Sequence, residues 1–292
     1  MKTDLFLNAT ALNYLSCHRH YQVSALWGYS GYTSDSANLG TEFHRFAYHF
    51  EGPKKLGVME QALDQSTGFR SNDKKLQEMC VMYEACNPLI GREPLIDDHG
   101  TPCLEYQFHI PYISTDKYNI HLVGTIDRMD DFQDAACVVD RKTSAKIKKE
   151  EVLSNYLLQI QVPFYMWIWK EFLLPKAFTN LNQNTPLLGQ YLGIFHSFSP
   201  PKFELSSVIT YTPYLRAEVE DMVIVAVKQM IEIADLGEQL APPTGMSAKI
   251  SGDETVCKHC FLRQLCSTRN HESIVSYLKT LTSVPYDPRK WR

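Results

Sequence analysis

Between Thr10 and Trp27 the apolar residues Leu12, Leu15, Val23 and Leu26 recur at near-helical spacing, and Leu39, Phe43, Phe46, Ala47 and Phe50 repeat the pattern between Ser36 and Phe50. Two helices therefore open the chain. A third is predicted over Ser71 to Cys86, where Leu76, Met79, Val81 and Met82 alternate with charges. The join from Glu51 to Arg70, with Gly52, Pro53, Gly57 and Gly68, is loop-like at its edges. At Pro102 the period changes to two. Leu104, Tyr106, Phe108 and Ile110 alternate with Glu105, Gln107 and His109 as a strand should; Asn119 to Met129 reads as a second strand and Ala135 to Thr143 as a third, an antiparallel meander. A long helical stretch follows, about Lys149 to Leu174, with Pro163 expected to kink it. Gln190 to Phe198 and Phe203 to Tyr211 are predicted strands, and Leu215 to Leu240 a long amphipathic helix. This order specifies a mixed α/β fold with one central sheet.

Composition changes the picture only at its edges. A chain of 292 residues, 44% hydrophobic and 21% charged, can bury a sizeable core. Asp4 and Asn8 interrupt any apolar leader, and the most apolar stretches, Phe164 to Leu174 and Val219 to Ala234, carry charges, so an intracellular, cytoplasmic protein with no membrane partner is expected. A net charge of −4 does not by itself favour nucleic acid. Local patches do: Arg141, Lys142, Lys146, Lys148 and Lys149 crowd one segment, and Lys258, Arg263, Arg269, Arg289, Lys290 and Arg292 make the C-terminal end basic. Together they fit a phosphate track.

The candidate chemistry lies on the predicted strands. Asp140 and Lys142, two apart, leave the same face. A hairpin turn centred between Gln133 and Asp134 sets Asp127 opposite Asp140, with Cβ atoms about 5 Å apart, and two like charges there need a cation between them. Oxygen ligands favour Mg²⁺ or Mn²⁺, which would act on a phosphate ester while Lys142 orients or helps deprotonate the attacking water. His44, in GTEFHRF, is the natural additional ligand, on a helix where Gly40 leaves room for close packing. Glu105 reads as an outward strand carboxylate, with a further acidic ligand as the alternative. Gln161 and Tyr165 share a helix face.

The succession GTEFH, VGTIDRM, VVDRKTS and QVPFY resembles the PD-(D/E)XK nuclease superfamily in its RecB-like branch. The resemblance implies a restriction-endonuclease-like core, a central mixed sheet flanked by helices, in which His44, Asp127, Asp140 and the backbone carbonyl of Arg141 hold the catalytic metal. It also implies Lys142 in catalysis and Gln161 and Tyr165 supporting the DNA strand. No Walker A sequence is present, so no helicase motor is expected in this chain.

Eight cysteines without a secretory signal suggest ligands or core thiols. Cys80, Cys86, Cys103 and Cys137 read as buried core thiols. Cys257, Cys260 and Cys266 in CKHCFLRQLC, with remote Cys17 in NYLSCHRHY, form a soft ligand set. Their spacing suits zinc, with His259 or His271 able to substitute, as well as it suits iron-sulfur. Similarity to the iron-sulfur subset of these nucleases, which includes the CRISPR-associated exonuclease and the AddB subunit, implies a 4Fe-4S cluster clasping the chain ends. Residues 1–35 and 241–292 would then form the cluster module and 36–240 the nuclease core, with 51–100 an unassigned helical insertion. The expected function is a metal-dependent DNA nuclease, an exonuclease on single-stranded DNA or DNA ends. A catalytically inactive or redox-sensing iron-sulfur DNA-binding module of a larger complex is the alternative, and partners in recombination, repair or CRISPR adaptation stay open.

Overall fold

The structure, a computed structural model, describes residues 2–29, 35–52, 74–89, 91–132, 134–146, 148–244, 260–263, 266 and 271–281, the side chains of 35–37 and 271 excepted. Cys257, His259, Gln133, the predicted loop from residue 53 to 70, and the basic residues Lys258, Arg269, Arg289, Lys290 and Arg292 lie outside the described residues.

The described chain opens on a strand, not on a helix. In β1 (Thr3–Leu7) Leu5 and Leu7 are buried and alternate with outward Asp4 and Phe6. Asn8 then caps α1 (Ala9–Tyr14), its side chain accepting the Ala11 amide at 2.7 Å. Next come α2 (His18–Tyr21), extended by a π-helical turn over Gln22–Leu26, then α3 (Asp35–Glu51) and α4 (Lys74–Cys86). Short β2 (Glu93–Pro94) precedes the long strands β3 (Leu104–Ser114), β4 (Tyr118–Phe132) and β5 (Ala135–Ser144).

The predicted single helix from Lys149 to Leu174 is in fact several pieces: α5 (Lys149–Leu157), α6 (Gln161–Ile168), a π-helical turn (Trp169–Leu173) and α7 (Leu174–Ala177). Pro163 does not kink a helix interior. It sits in the first turn of α6, where an amide would have no intrahelical acceptor to lose. Strands β6 (Leu187–Phe195), β7 (Lys202–Leu205) and β8 (Ile209–Thr210) follow, then α8 (Pro213–Asp235) and α9 (His271–Leu278).

The strands pair in the order β1-β4-β5-β6-β7, with β2 and β3 also on β4 and β8 on β6. Pairing is antiparallel between β4 and β5 and parallel between β5 and β6, which makes the sheet mixed.

Two compact units share the chain. One holds residues 33–107 and 125–219. Here α3 and α4 bury Phe43, Phe46, Leu76, Met79 and Tyr83 against Cys137, Val139, Leu192 and Ile194 of β5 and β6. A fully buried side chain of this size contributes about 2–3 kcal/mol, so the helix that carries His44 is firmly anchored. On β6, a Cβ at Gly189 would lie 2.5 Å from Val162 and 2.6 Å from the Met166 sulfur, so glycine is what lets α6 lie flat on that strand.

The other unit holds residues 1–32, 108–124 and 220–292. Its core gathers Val23, Leu262, Cys266, Ile274 and Leu278. The buried Gln22 side chain clasps the 239–241 backbone from both sides, donating to the Gln239 carbonyl at 2.8 Å and accepting the Ala241 amide at 2.7 Å. Arg19 Nε donates to the Ala241 carbonyl at 2.9 Å.

Of the four thiols read as core, Cys80, Cys103 and Cys137 are buried, whereas Cys86, the last residue of α4, is exposed. Among the described residues no helix is long and apolar enough to cross a membrane.

Candidate active site

The hairpin of β4 and β5 fixes the register on which the site depends. Phe132 pairs with Ala135 and Arg128 with Val139, and Asp127 and Asp140 each lie one residue beyond this last pair. Asp134 takes φ +63° at the turn, a left-handed conformation that Asp tolerates in tight hairpins. Helix α3 approaches β5 through Gly40, whose Cβ would meet Thr143 Oγ1 at 2.9 Å. One turn on, this close approach delivers His44 to the end of the two strands.

His44 is the hub. Its Nδ1 lies 3.1 Å from Glu105 Oε1 and 3.7 Å from Asp127 Oδ2, and its Nε2 lies 3.2 Å from the Arg141 carbonyl oxygen. Ligand atoms of His44, Glu105 and Asp127 all fall within 4.8 Å of one another. Burial would lower the His44 pKa, but the carboxylates of Asp127 and Glu105 outweigh it and raise it to about 9.

Glu105 does not face outward as its place in the alternation suggested. Its φ of +46° breaks the strand and turns the carboxylate onto His44. No period-two pattern signals such a left-handed residue.

Asp140 and Lys142 do leave the same face, and they meet. Lys142 Nζ is 2.7 Å from Asp140 Oδ2 and donates to Gln161 Oε1 at 2.8 Å; Gln161 Nε2 in turn donates to the Tyr165 hydroxyl at 3.4 Å. Asp140 is 1% exposed, and its Oδ1 finds no hydrogen-bond partner among the described residues. Burial pushes its pKa up to about 6, with the charge of Asp127 acting in the same direction and Lys142 against it. Lys142 is shifted upward: burial alone would lower it, but Asp140 and Asp127 hold the proton on.

Arg141 belongs to the site through its backbone and to the interior through its side chain. Asp127 Oδ2 accepts the Arg141 amide at 2.7 Å, while the guanidinium, fully buried, donates to the Asp127 carbonyl at 3.2 Å and lies 3.6 Å from Glu105. Behind it, Glu51 pairs with both Arg141 and Arg128 and accepts the Tyr83 hydroxyl. Burial would raise the Glu51 pKa, but the two guanidiniums hold it below the usual carboxylate range. The phosphate track read from the sequence is accordingly shorter: Arg141 is internal, Lys149 pairs with Glu204, and Lys146 and Lys148 remain exposed.

One imidazole nitrogen, a backbone carbonyl and a cluster of carboxylates form an oxygen-dominated donor set, which fits Mg²⁺ or Mn²⁺. A model of the PD-(D/E)XK nuclease superfamily matches residues 7–267. The chain belongs to the PD-(D/E)XK nuclease superfamily. Members of the PD-(D/E)XK superfamily are nucleases that hydrolyse phosphodiester bonds, and a nuclease of this family acts on DNA.

Among solved structures, this PD-(D/E)XK member is similar to a Eubacterium rectale protein named "Putative exonuclease", at 12% identity and a TM-score of 0.44, over 80% of this chain and 83% of that one. It is also similar to a protein named SSO0001, at 11% identity and a TM-score of 0.33, over 91% of this chain and 86% of that one. Among curated proteins, none matches the chain.

Three of the four candidate cluster ligands are described, and all three fall in the unit that contains both chain ends. Cys17 caps α2 and is buried, Cys266 is buried, and Cys260 packs against the same core as Cys266. Arg19 Nη1 donates to Cys266 Sγ at 3.5 Å.

Proposed function

We propose that the protein is a metal-dependent deoxyribonuclease, an exonuclease acting on single-stranded DNA or DNA ends, with a structural 4Fe-4S cluster held by Cys17, Cys257, Cys260 and Cys266. The observation that carries this reading is the meeting of His44, Asp127 and the Arg141 carbonyl at one point, beside the Asp140–Lys142 pair.

His44, Asp127, Asp140 and the Arg141 carbonyl would hold Mg²⁺ or Mn²⁺, with Glu105, grouped with His44 and Asp127, as a further carboxylate. A divalent ion there supplies Lewis-acid polarisation of the scissile phosphate and a lowered pKa for water. The chain's own groups do the positioning. Asp140 keeps the Lys142 ammonium charged and aimed, ready to orient the nucleophilic water and offset charge on the pentacovalent phosphorane. Gln161 fixes Lys142 from the other side, and Tyr165 steadies Gln161 on the face where the DNA strand would lie. Reduced thiol ligands suit an intracellular location.

An anaerobic preparation tests both parts. Iron content and visible absorbance read the cluster, and end-labelled linear and circular DNA with Mn²⁺, Mg²⁺ or EDTA reads the chemistry. Cleavage that needs the metal and favours linear substrate is expected. The variant Lys142→Ala should lose about 100-fold or more in turnover, the usual worth of a positioned proton-transfer group. If Lys142→Ala degrades DNA as well as the parent, the catalytic reading fails and a binding role replaces it.

A further inference from the structure

In the unit that contains both chain ends, three strands present a second constellation that owes nothing to the nuclease residues or the cysteines. His109 of β3 and His121 of β4 are in direct contact, Nε2 to Nδ1 at 3.0 Å. On its other side His121 Nε2 is 3.4 Å from Asp4 Oδ1 of β1. That carboxylate oxygen also accepts Asn119 Nδ2 at 3.0 Å, which fixes its direction. Phe6 stacks on His121, ring centroids 5.4 Å apart and planes 29° apart, and meets His109 edge-on at 6.2 Å.

We propose that His109 Nε2 and His121 Nδ1 form a two-nitrogen chelate for a borderline divalent transition ion, zinc, nickel or copper(II), with Asp4 as the outer partner that orients His121. Two imidazole nitrogens on adjacent coordination positions, each about 2.0–2.1 Å from an ion, are separated by about 2.8–3.4 Å from square-planar through tetrahedral geometry. The observed 3.0 Å falls inside that interval.

The tautomer is set as well. With its Nε2 proton facing Asp4, His121 points its Nδ1 lone pair at His109, the arrangement in which an outer carboxylate fixes which ring nitrogen is left for an ion. Without metal, one proton bridges the two rings. On metal binding that proton leaves Nε2 of His109 for solvent while Nδ1 takes one up from solvent, so the ring stays neutral as its other tautomer and the ion takes the vacated position between two lone pairs.

His109 is exposed, so solvent or another donor can fill the remaining coordination positions. Imidazole donors select this class of ion over Mg²⁺ and Mn²⁺, which distinguishes the pair from the oxygen-rich cradle of His44, Glu105 and Asp127. A bound ion would also tie β3 to β4 and, through Asp4, the first strand to both.

The test uses the full chain with its cluster, titrated with Ni²⁺ by calorimetry in parallel with His109→Gln and His121→Gln. The difference between parent and variant isolates this pair from His44 and the thiols. The parent is expected to bind one more Ni²⁺ per chain than either variant and to gain thermal stability that both variants lack. Asp4→Asn should keep the stoichiometry and bind this ion about 10-fold more weakly, the usual effect of removing an outer-shell carboxylate. Nickel-edge X-ray absorption on the parent alone should show imidazole nitrogens in the first shell, which keeps the test decisive if a variant folds poorly. Equal stoichiometry and affinity in parent and both glutamine variants would overturn the proposal, as would a nickel shell without imidazole.

Discussion

Glu51 faces two guanidiniums that have almost no access to water: the Arg141 side chain is 0% exposed and that of Arg128 4%. Replacing it by Gln leaves two buried cations under-compensated, which costs about 3–5 kcal/mol when one partner of a buried pair is removed. Chemical denaturation of Glu51→Gln checks this. The sign of the pH effect follows from the depressed carboxyl. Its contribution is complete above the unfolded pKa of about 4.5 and is lost as pH falls through the lower folded value, so acid should narrow the gap between parent and variant. At this scale the sequence was informative where chemistry recurs at a fixed spacing. The Asp-x-Lys pair on one strand face and the hairpin whose last pair stands one residue before Asp127 and Asp140 could be worked out by counting. Glu105 could not, because its alliance with His44 depends on a backbone angle that alternation hides. Nor could the inward course of the Arg141 side chain, whose partner Glu51 lies 90 residues away.

Helix α3 has to come close to β5 for His44 to reach the Arg141 carbonyl, and Gly40 sets that distance. At an open helical position Gly→Ala stabilises by about 1 kcal/mol. Here the added carbon would meet Thr143 Oγ1 at 2.9 Å, so Gly40→Ala should fail to give that gain and should weaken metal binding by displacing His44. Thr143→Ala in the same chain should restore both, as denaturation and Mn²⁺ titration would show; additive effects of the two substitutions would refute the close-contact account. The role of Gly40 was legible from its place one turn before His44. Strand β1 was not, since five residues between a polar start and a capping Asn give too short an alternation to separate from the helix behind it. The pieces between Lys149 and Ala177 merged in the reading because helices joined by a short break and a π-turn nearly keep the apolar period of one long helix.

For the molecule as a whole, the α/β class and one central sheet were readable from the order of periods, but the parallel pairing of β5 with β6 that makes the sheet mixed was not, because the intervening helices leave no mark of strand direction. The thiol motif links residues 17 and 266 across nearly the entire chain. If they share a cluster, closing so long a loop is worth about 5 kcal/mol by the chain-entropy relation for cross-links. Cys17→Ser should then lose iron absorbance and most of that stability together. Loss of neither would leave these cysteines as ordinary core thiols.

Arg141 serves the cradle with an atom that no point mutation can delete. Whatever side chain stands at 141, the peptide oxygen persists, whereas the guanidinium that braces Asp127 and Glu105 from behind is open to genetic drift. Variation at this position would therefore act as a dial on the alignment of the acidic groups, altering how tightly an ion is gripped without changing the inventory of donors around it.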